Sequence, residues 1–492
     1  MADLQSTNRV ALAKVREATF GVTPASPVFK AIRQTSSGLN ANPKTVISSE
    51  IRSDRQVTDL ILVGQEAGGP VGGELAFAVA DDDLEEAVQG TWSNNPSITV
   101  ITSDTEISDL TTTTATVASG GAAFKTGMLT LMSGFTTAAN NKLARVSSSS
   151  GTTIVYPSST FSADAVIPVG ATIRQVGFEG ATADLVATTS GGNALTSTVL
   201  DFTTLGLAAG KWVKIGDGDT GSKSFATSAN NGFCRVSAVA TNRLSFDRVP
   251  TGWAGDTGTG IALRVFTGDV LTNASTKRSN SIERQYLDHS PVTYEYLVGM
   301  TLNTLQVEAK QEAIATYTRS YIGKSASTTN SRVSGATDQA APTFAVLNTS
   351  ANVGRIGFDG STITGPNFVM GATININNNL RAQMAVGSLG AVGTGNGEFT
   401  VTGTLETYFG DKSVYDKIVN NTLTSFDMRL GRADGNRETL LFDLPSIKLG
   451  SGAPQVGGKN QDVTISAGFT AFRDATLLYT VSIGRFWYLP TS

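Results

Sequence analysis

The chain has 492 residues, with 37 basic against 41 acidic side chains and a formal charge of −4. That balance leaves no positive excess to hold nucleic acid and no polybasic patch for an anionic membrane surface. Charged residues make up only 16% of the chain, below the usual quarter or so; with Gly, Ser, Thr, Ala and Asn abundant, this is the texture of a β-rich protein of about three domains.

In chain order, Met1-Ala2-Asp3-Leu4-Gln5 has neither the basic start nor the apolar core of a secretory signal. No stretch approaches the ~18–20 apolar residues of a membrane span, so assembly in a cytoplasm is the expectation. Val10, Leu12 and Val15 give a weak helical pattern that ends at Gly21 to Pro24. Residues 45–72 mix strand-like pieces (Val46-Ile47, Leu60 to Val63) with charged turns and Gly68-Gly69-Pro70, which predicts a long excursion from a compact body. Gly73 to Val79 alternates as a strand, and Asp81-Asp82-Asp83 opens a short helix through Leu84, Ala87 and Val88. Acidic residues there interact favourably with the positive end of the helix dipole, so capping suffices to explain them and a metal site is not needed.

From Ile98 to about Leu271 short Thr/Ser-rich strands alternate with turns, and the text repeats itself. Asn140-Asn141 to Arg145-Val146 and Asn230-Asn231 to Arg235-Val236 share Asn-Asn-x-x-x-Arg-Val, and Arg174 and Arg264 each fall 29 positions after the first arginine of the motif. One offset of 90 maps all three landmarks. Solenoid periods run from roughly 20 to 50 residues, so this offset indicates a duplicated domain instead. Two tandem β-sandwiches of immunoglobulin-like size are expected, at 98–180 and 181–272, and they leave 1–97 and 273–492 as one interrupted domain. Arg145 and Arg235 read as strand residues shared by ancestry.

In the second flank, Met300 to Ala309 and Ala313 to Ile322 form a predicted hairpin through Lys310-Gln311-Glu312. Strands around Phe368 and from Gly397 to Thr404 precede a helix at Ser413 to Val419, with Val414, Tyr415 and Ile418 on one face. Four strands follow: Phe426 to Leu430, Thr439 to Leu444, Val463 to Phe472 and Leu477 to Ile483. The outline is two β-sheets with one or two helices alongside.

Catalytic signatures are sparse. His289 is the sole histidine and sits in a turn beside Ser290-Pro291; Cys234, the sole cysteine, reads as a buried small hydrophobe. Gly216-Asp217-Gly218-Asp219-Thr220-Gly221 resembles part of a calcium loop but lacks its later ligands, so a Gly/Asp turn is the reading. Glu85-Glu86 are adjacent on a helix and cannot flank a substrate bond. The expectation is no enzyme, no cofactor and no metal.

Several ordered segments of the flanks together resemble the major tail tube proteins of long-tailed (siphovirus-type) bacteriophages. They are Phe29 to Thr35, Ser48 to Arg55 followed by Gly72 to Leu75, Asp82 to Ala87 ending at Trp92, and Ser281 to Arg284 leading into Tyr294 to Leu305. The resemblance covers about 300 residues and implies a mainly β fold: a tail-tube sandwich or barrel with flanking helices, here interrupted by the two inserted β-modules. It further implies hexameric rings stacked into a tube that carries double-stranded DNA out of the capsid without tight binding. Tape measure, tail terminator and distal tail proteins are the implied partners, and the virion tail the implied location. A lumen that bound phosphates would stall DNA, so it should be neutral or acidic. Strand alternation in the 300–322 hairpin makes Gln306, Glu308 and Glu312 candidate lumen residues. Glu50, Arg52, Asp54 and Arg55 lie on the candidate inter-ring arm. The inserted modules would project outward. The competing readings are a β-sandwich surface adhesin or S-layer-like protein, and a glycan-active enzyme, which would need two facing carboxylates.

Overall fold

The computed structural model describes residues 4–218, 223–363 and 365–491. The first flank supplies β1 (Val10–Arg16), β2 (Asn40–Ile47), β3 (Leu60–Glu74) and α1 (Asp81–Val88). The middle of the chain supplies β4 (Met128–Ser133), β5 (Thr172–Glu179), β6 (Trp212–Ile215), β7 (Phe233–Ala240) and β8 (Arg264–Thr267). The second flank adds β9 (Thr293–Lys310), β10 (Thr316–Gly323), β11 (Val353–Phe358), β12 (Val369–Asn377), β13 (Thr400–Tyr408), α2 (Ser413–Val419), β14 (Leu423–Gly431), β15 (Thr439–Ser451), β16 (Thr464–Ala471) and β17 (Ser482–Phe486). The fold is mainly β with two short helices, in keeping with the composition.

In the flanks, β3, β10, β9, β12, β13 and β16 are successive antiparallel neighbours. A second group joins β11, β14, β15 and β17. One long strand, β15, links the groups, and a second, β9, extends the first group towards the N-terminal strand. β9 pairs with Ser279–Tyr286 in its first half and with β10 and β12 in its second, while β15 runs from β17 to β16. Leu305, Val307, Ile374, Val401 and Leu405 share one apolar core with Phe426, Met428, Phe442 and Leu444, and with Leu84, Ala87 and Val88 of α1. Each such side chain contributes roughly 1.5–3 kcal/mol of burial.

Three sequence expectations shift. Val10 to Arg16 is a strand, not a helix: it pairs with Ser279–Tyr286 over seven residues, and a helix that short would not repay its nucleation. The strand expected at Gly73 to Val79 ends at Glu74, because Ala78 takes a φ of 59° in the turn that leads into α1. The last strand begins at Ser482 and not at Leu477, since Leu478 has a φ of 65°. The 300–322 hairpin and α2 form where the sequence put them.

The middle region has a large sheet and, in its first copy, a separate four-stranded one of Ile107–Leu110, Thr114–Val117, Thr153–Val155 and Ser148–Ser149. The large sheet joins the two copies and runs from Leu143–Arg145 through β4, β5, β8, β6 and β7 to Arg243–Arg248, Ala194–Thr196 and Val186–Thr188. The two copies therefore meet edge to edge and share one apolar cluster, with Met132, Ile173 and Phe178 beside Val213, Val236 and Val265. β5 pairs with β8 at Gly177 with Phe266 and Phe178 with Val265. Phe266 is the 90-residue counterpart of Val176, so exchanging the copies maps this pairing onto itself: a local pseudo-twofold. The duplicated asparagines explain themselves in the same way. Asn141 and Asn231 each accept from and donate to the backbone of Phe135 and Phe225, and Asn140 and Asn230 clamp the loops at Ser162 and Ala254. Of the calcium-like run, Asp217 pairs with Arg264 at 2.6 Å, and Asp219 to Gly221 lie outside the described residues.

The sheets change over at Gly268. Asp269–Thr272 pairs with β17 in the flanking body and not with the middle sheet, whereas Ser97–Thr99 already pairs with β5. The middle region sits on the body through Leu129, Val176, Trp212, Phe233 and Phe266, which pack against Leu441, Phe486 and Leu489.

Candidate functional site

Alternation along the six-strand group gives it two contrasting faces. Inward point Leu305, Val307, Tyr317, Ile374, Val401 and Ile465, all buried. Outward, one cross-strand row reads Gly72, Thr318, Gln306, Asn375, Thr402 and Thr470. The rows beside it continue with Thr304, Asn377 and Thr400, and with Thr316, Glu308, Thr373 and Thr404. Thr, Asn and Gln therefore cover this face. Glu74, Glu308, Lys310 and Glu406 gather at the end nearest the β9–β10 turn, and Glu66, paired with Lys44, lies far along β3. Glu308 is 2.6 Å from Lys310, and the hydrogen bond and charge of Glu308 raise the Lys310 pKa.

Two of the three candidate lumen residues meet on this face. Gln306 is exposed and Glu308 half-buried, whereas Glu312 lies in the turn with a φ of 54° and off the sheet surface.

The excursion at 40–66 is a hairpin. Thr45 faces Leu62, Val46 faces Ile61 and Ile47 faces Leu60. Both sides carry apolar residues, and Val46, Ile47, Leu60, Ile61, Leu62 and Val63 are each about half exposed, with Ile51 at the tip fully so. A free hairpin with two apolar faces has no core of its own. Arg52 and Asp54 form a local ion pair at 2.6 Å, which lowers the pKa of Asp54, and Arg55 takes a φ of 62° at the tip. Glu50 turns back through its N–H, which donates to the Ser48 Oγ. The charges of the arm thus shape its tip, while the apolar residues form its exposed area. The run Leu60-Ile61-Leu62-Val63, unbroken by polar residues, was the signal for this.

The three aspartates of α1 do more than the capping expected of them. None caps the helix through its side chain; each meets a cation from another element. Asp81 pairs with Arg485, Asp82 with Lys30 at 2.6 Å, and Asp83 with both Lys14 (2.6 Å) and Arg319. Glu86 joins Lys14 at 3.0 Å, and Tyr317 and Tyr321 donate or accept around the same cluster. Burial would push Asp83 up, but Arg319 and Lys14 hold it well below the usual carboxylate range; Glu86, less well compensated, is raised by burial. The helix is bolted to the sheet by charge as well as by Leu84 and Val88.

His289 is exposed and its Nδ1 lies 2.9 Å from the Thr293 hydroxyl, while its ring stacks on Tyr286. Cys234 is fully buried, and burial pushes its thiol up. Among the described residues, no three His, Cys, Asp or Glu side chains gather as a metal site, and no helix is long and apolar enough to cross a membrane.

The sequence profile of the phage tail tube protein family matches residues 7–247 and 248–471, nearly the whole chain. The chain belongs to the phage tail tube protein family. Its role is therefore structural, as a component of the phage tail that assembles with its own kind into a tube. No curated protein matches the chain.

Proposed function

We propose that the chain forms hexameric rings, that the rings stack into the tube of a siphovirus-type tail, and that the Thr/Asn/Gln face of β3, β10, β9, β12, β13 and β16 lines the channel for DNA. The observation that carries this reading is the row Gly72, Thr318, Gln306, Asn375, Thr402, Thr470, which is free of cations across all six strands and meets one, Lys448, only where it passes to β15. Each phosphate neutralised by Lys or Arg would add affinity and slow transit. A surface of hydroxyls and amides, with the excess of Glu over Lys confined to one end, leaves the duplex hydrated and moving.

The arm supports stacking. A contact that closes after six copies makes a ring, and one that does not close makes a tube. The hairpin at 40–66, apolar on both sides, suits insertion between copies of the next ring, with Glu50, Arg52, Asp54 and Arg55 at its leading end. The middle region, 97–267, is too bulky for a channel and is placed on the outside of the tube. Tape measure protein inside the channel and terminator and distal tail proteins at its ends complete the partners, with assembly in the host cytoplasm. Negative-stain microscopy of the purified chain tests the reading: rings or tubes with a central hole are expected, and compact monomers without a hole would refute it.

A further inference from the structure

A cleft of about 250 Å³ lies where the middle region meets the body. Its charged lining consists of Lys214 from β6, Arg429 from β14, and Arg432 and Arg437 from the turn between β14 and β15, with no carboxylate in the wall among the described residues. In a chain of net charge −4, the convergence of Arg429 and Arg437 is the feature to explain.

The four are not equivalent. Arg432 is balanced by Asp434 and Glu438 at 3.1 and 3.4 Å. Lys214 donates to the Ile215 and Gly216 carbonyl oxygens. Among the described residues Arg429 has no carboxylate within ion-pairing distance: its Nη2 donates to the Gly354 carbonyl at 2.8 Å, and its guanidinium lies 4.2 Å above the Phe233 ring. Gly354 makes that seat possible, because a Cβ there would come within 2.4 Å of the Arg429 Nε. Burial and the neighbouring Arg355 lower Arg429 to about 10. The Arg437 side chain makes neither an ion pair nor a hydrogen bond among the described residues; its backbone is held with a φ of 53° by a bond to the Asp434 carbonyl.

We propose that this cleft binds a phosphate-type oxyanion, with Arg437 and Arg429 as its principal ligands. A planar guanidinium offers parallel N–H donors that match two oxygens of such a group, and a half-buried one gains more from it than an exposed one. The phosphate is either the free ion or a phosphodiester of a polymer. The site does not depend on tube formation, so it stands or falls separately from the proposed function.

The test is calorimetric titration of the full chain with inorganic phosphate and, in a second arm, dimethyl phosphate. Saturable binding is expected, weakened at least tenfold by Arg437→Gln and by Ala433→Glu, which sets a carboxylate at the rim of the cleft, and unchanged by Arg381→Gln at a distant exposed arginine. Thermal melts matching the parent chain show that the variants are folded. Equal binding of both anions points to the polymer as source, and binding of inorganic phosphate alone to the free ion. Non-saturating heats, full binding by Arg437→Gln, or an equal loss in Arg381→Gln would overturn the proposal.

Discussion

Arg235 in β7 and Asp443 in β15 form a buried ion pair across the seam between the middle region and the body, with Arg235 Nη1 3.2 Å from both Asp443 oxygens. Arg235 also reaches Asp247 at 2.6 Å within its own sheet. The motif arginine of the second copy therefore fastens that copy to the body. Its counterpart Arg145 donates to the Glu179 carbonyl instead, at 2.8 Å. The shared residue takes different partners in the two copies because only the second faces the body. Arg235→Ala leaves Asp443 buried without its cation, for which a loss of about 3–5 kcal/mol is expected. Denaturant unfolding should show it, and Arg235→Leu with Asp443→Leu should recover most of the loss. Additive losses in that double variant would mean the pair is not coupled.

The same pair sets a pH response. Arg235 is raised despite its burial by Asp443 and Asp247, whereas Asp443 is itself raised to about 6 because burial outweighs Arg235 and Asp427 adds repulsion. Arg235 is shared between Asp247 and Asp443, and Asp443 is fully enclosed, so its charge is left under-compensated. A folded pKa above the unfolded value of 3.8 means that the native state binds more protons between about pH 4 and 6. Stability from this group rises as pH falls through 6, by at most about 3 kcal/mol. Melting of wild type and Asp443→Asn between pH 5 and 7.5 checks it: the wild type should gain on acidification relative to the variant. A parallel pair of curves would rule this out.

Much of the fold was legible because flanking strands alternate cleanly and the 300–322 hairpin and α2 have short, well-marked ends. Val10 to Arg16 misled because spacings of two and three coexist there and the partner strand lies some 270 residues away. The duplication was legible as an offset, but its edge-to-edge joining was not: Gly177 opposite Phe266 is a tertiary pairing without a local mark. The arm was visible as a long excursion, and its apolar exposed area, Val46, Ile47 and Leu60 to Val63, lies beside the charged tip of Glu50, Arg52, Asp54 and Arg55. The α1 aspartates looked like caps because the arginines and lysines that meet them come from four other segments.

The arm reading predicts an assembly defect without a folding defect. Ile47→Asp and Leu62→Asp place charge on the same face of the exposed hairpin, where neither contributes to the core. Far-UV circular dichroism and melting should be unchanged, within about 0.5 kcal/mol for exposed positions. Sedimentation should then show rings or single chains in place of long tubes. Tubes of ordinary length from the double variant would remove the arm from the interface.

For the polar face, one positive charge in the row should suffice. Gln306→Lys and Thr402→Lys add cations on the two strands that flank β12, without touching the buried side. Tube assembly should persist while DNA delivery slows, most at low salt, because each added phosphate contact steepens the salt dependence by about one. The matched control Gln306→Glu should leave delivery intact. Equal delivery by the lysine and glutamate variants, at 50 and 200 mM salt, would take this face out of the channel.

The changeover at Gly268 distinguishes two ways of deleting the middle region. Joining residue 97 directly to 273 removes Asp269–Thr272, and with it Asp269, whose carboxylate accepts from Arg485, from the Trp487 indole and from the Asn95 N–H. That shortened chain should fail to fold. Joining 96 to 268 keeps the strand and its pairing with β17. It uncovers Leu441 and Leu489, which the middle region otherwise shields, so Leu441→Gln and Leu489→Gln are needed for solubility. With them, thin tubes lacking outer density are expected on negative-stain grids. Folded but unassembled protein from the 96-to-268 chain would show that the middle region takes part in the tube wall, since the seam it vacates would then be the contact that rings require.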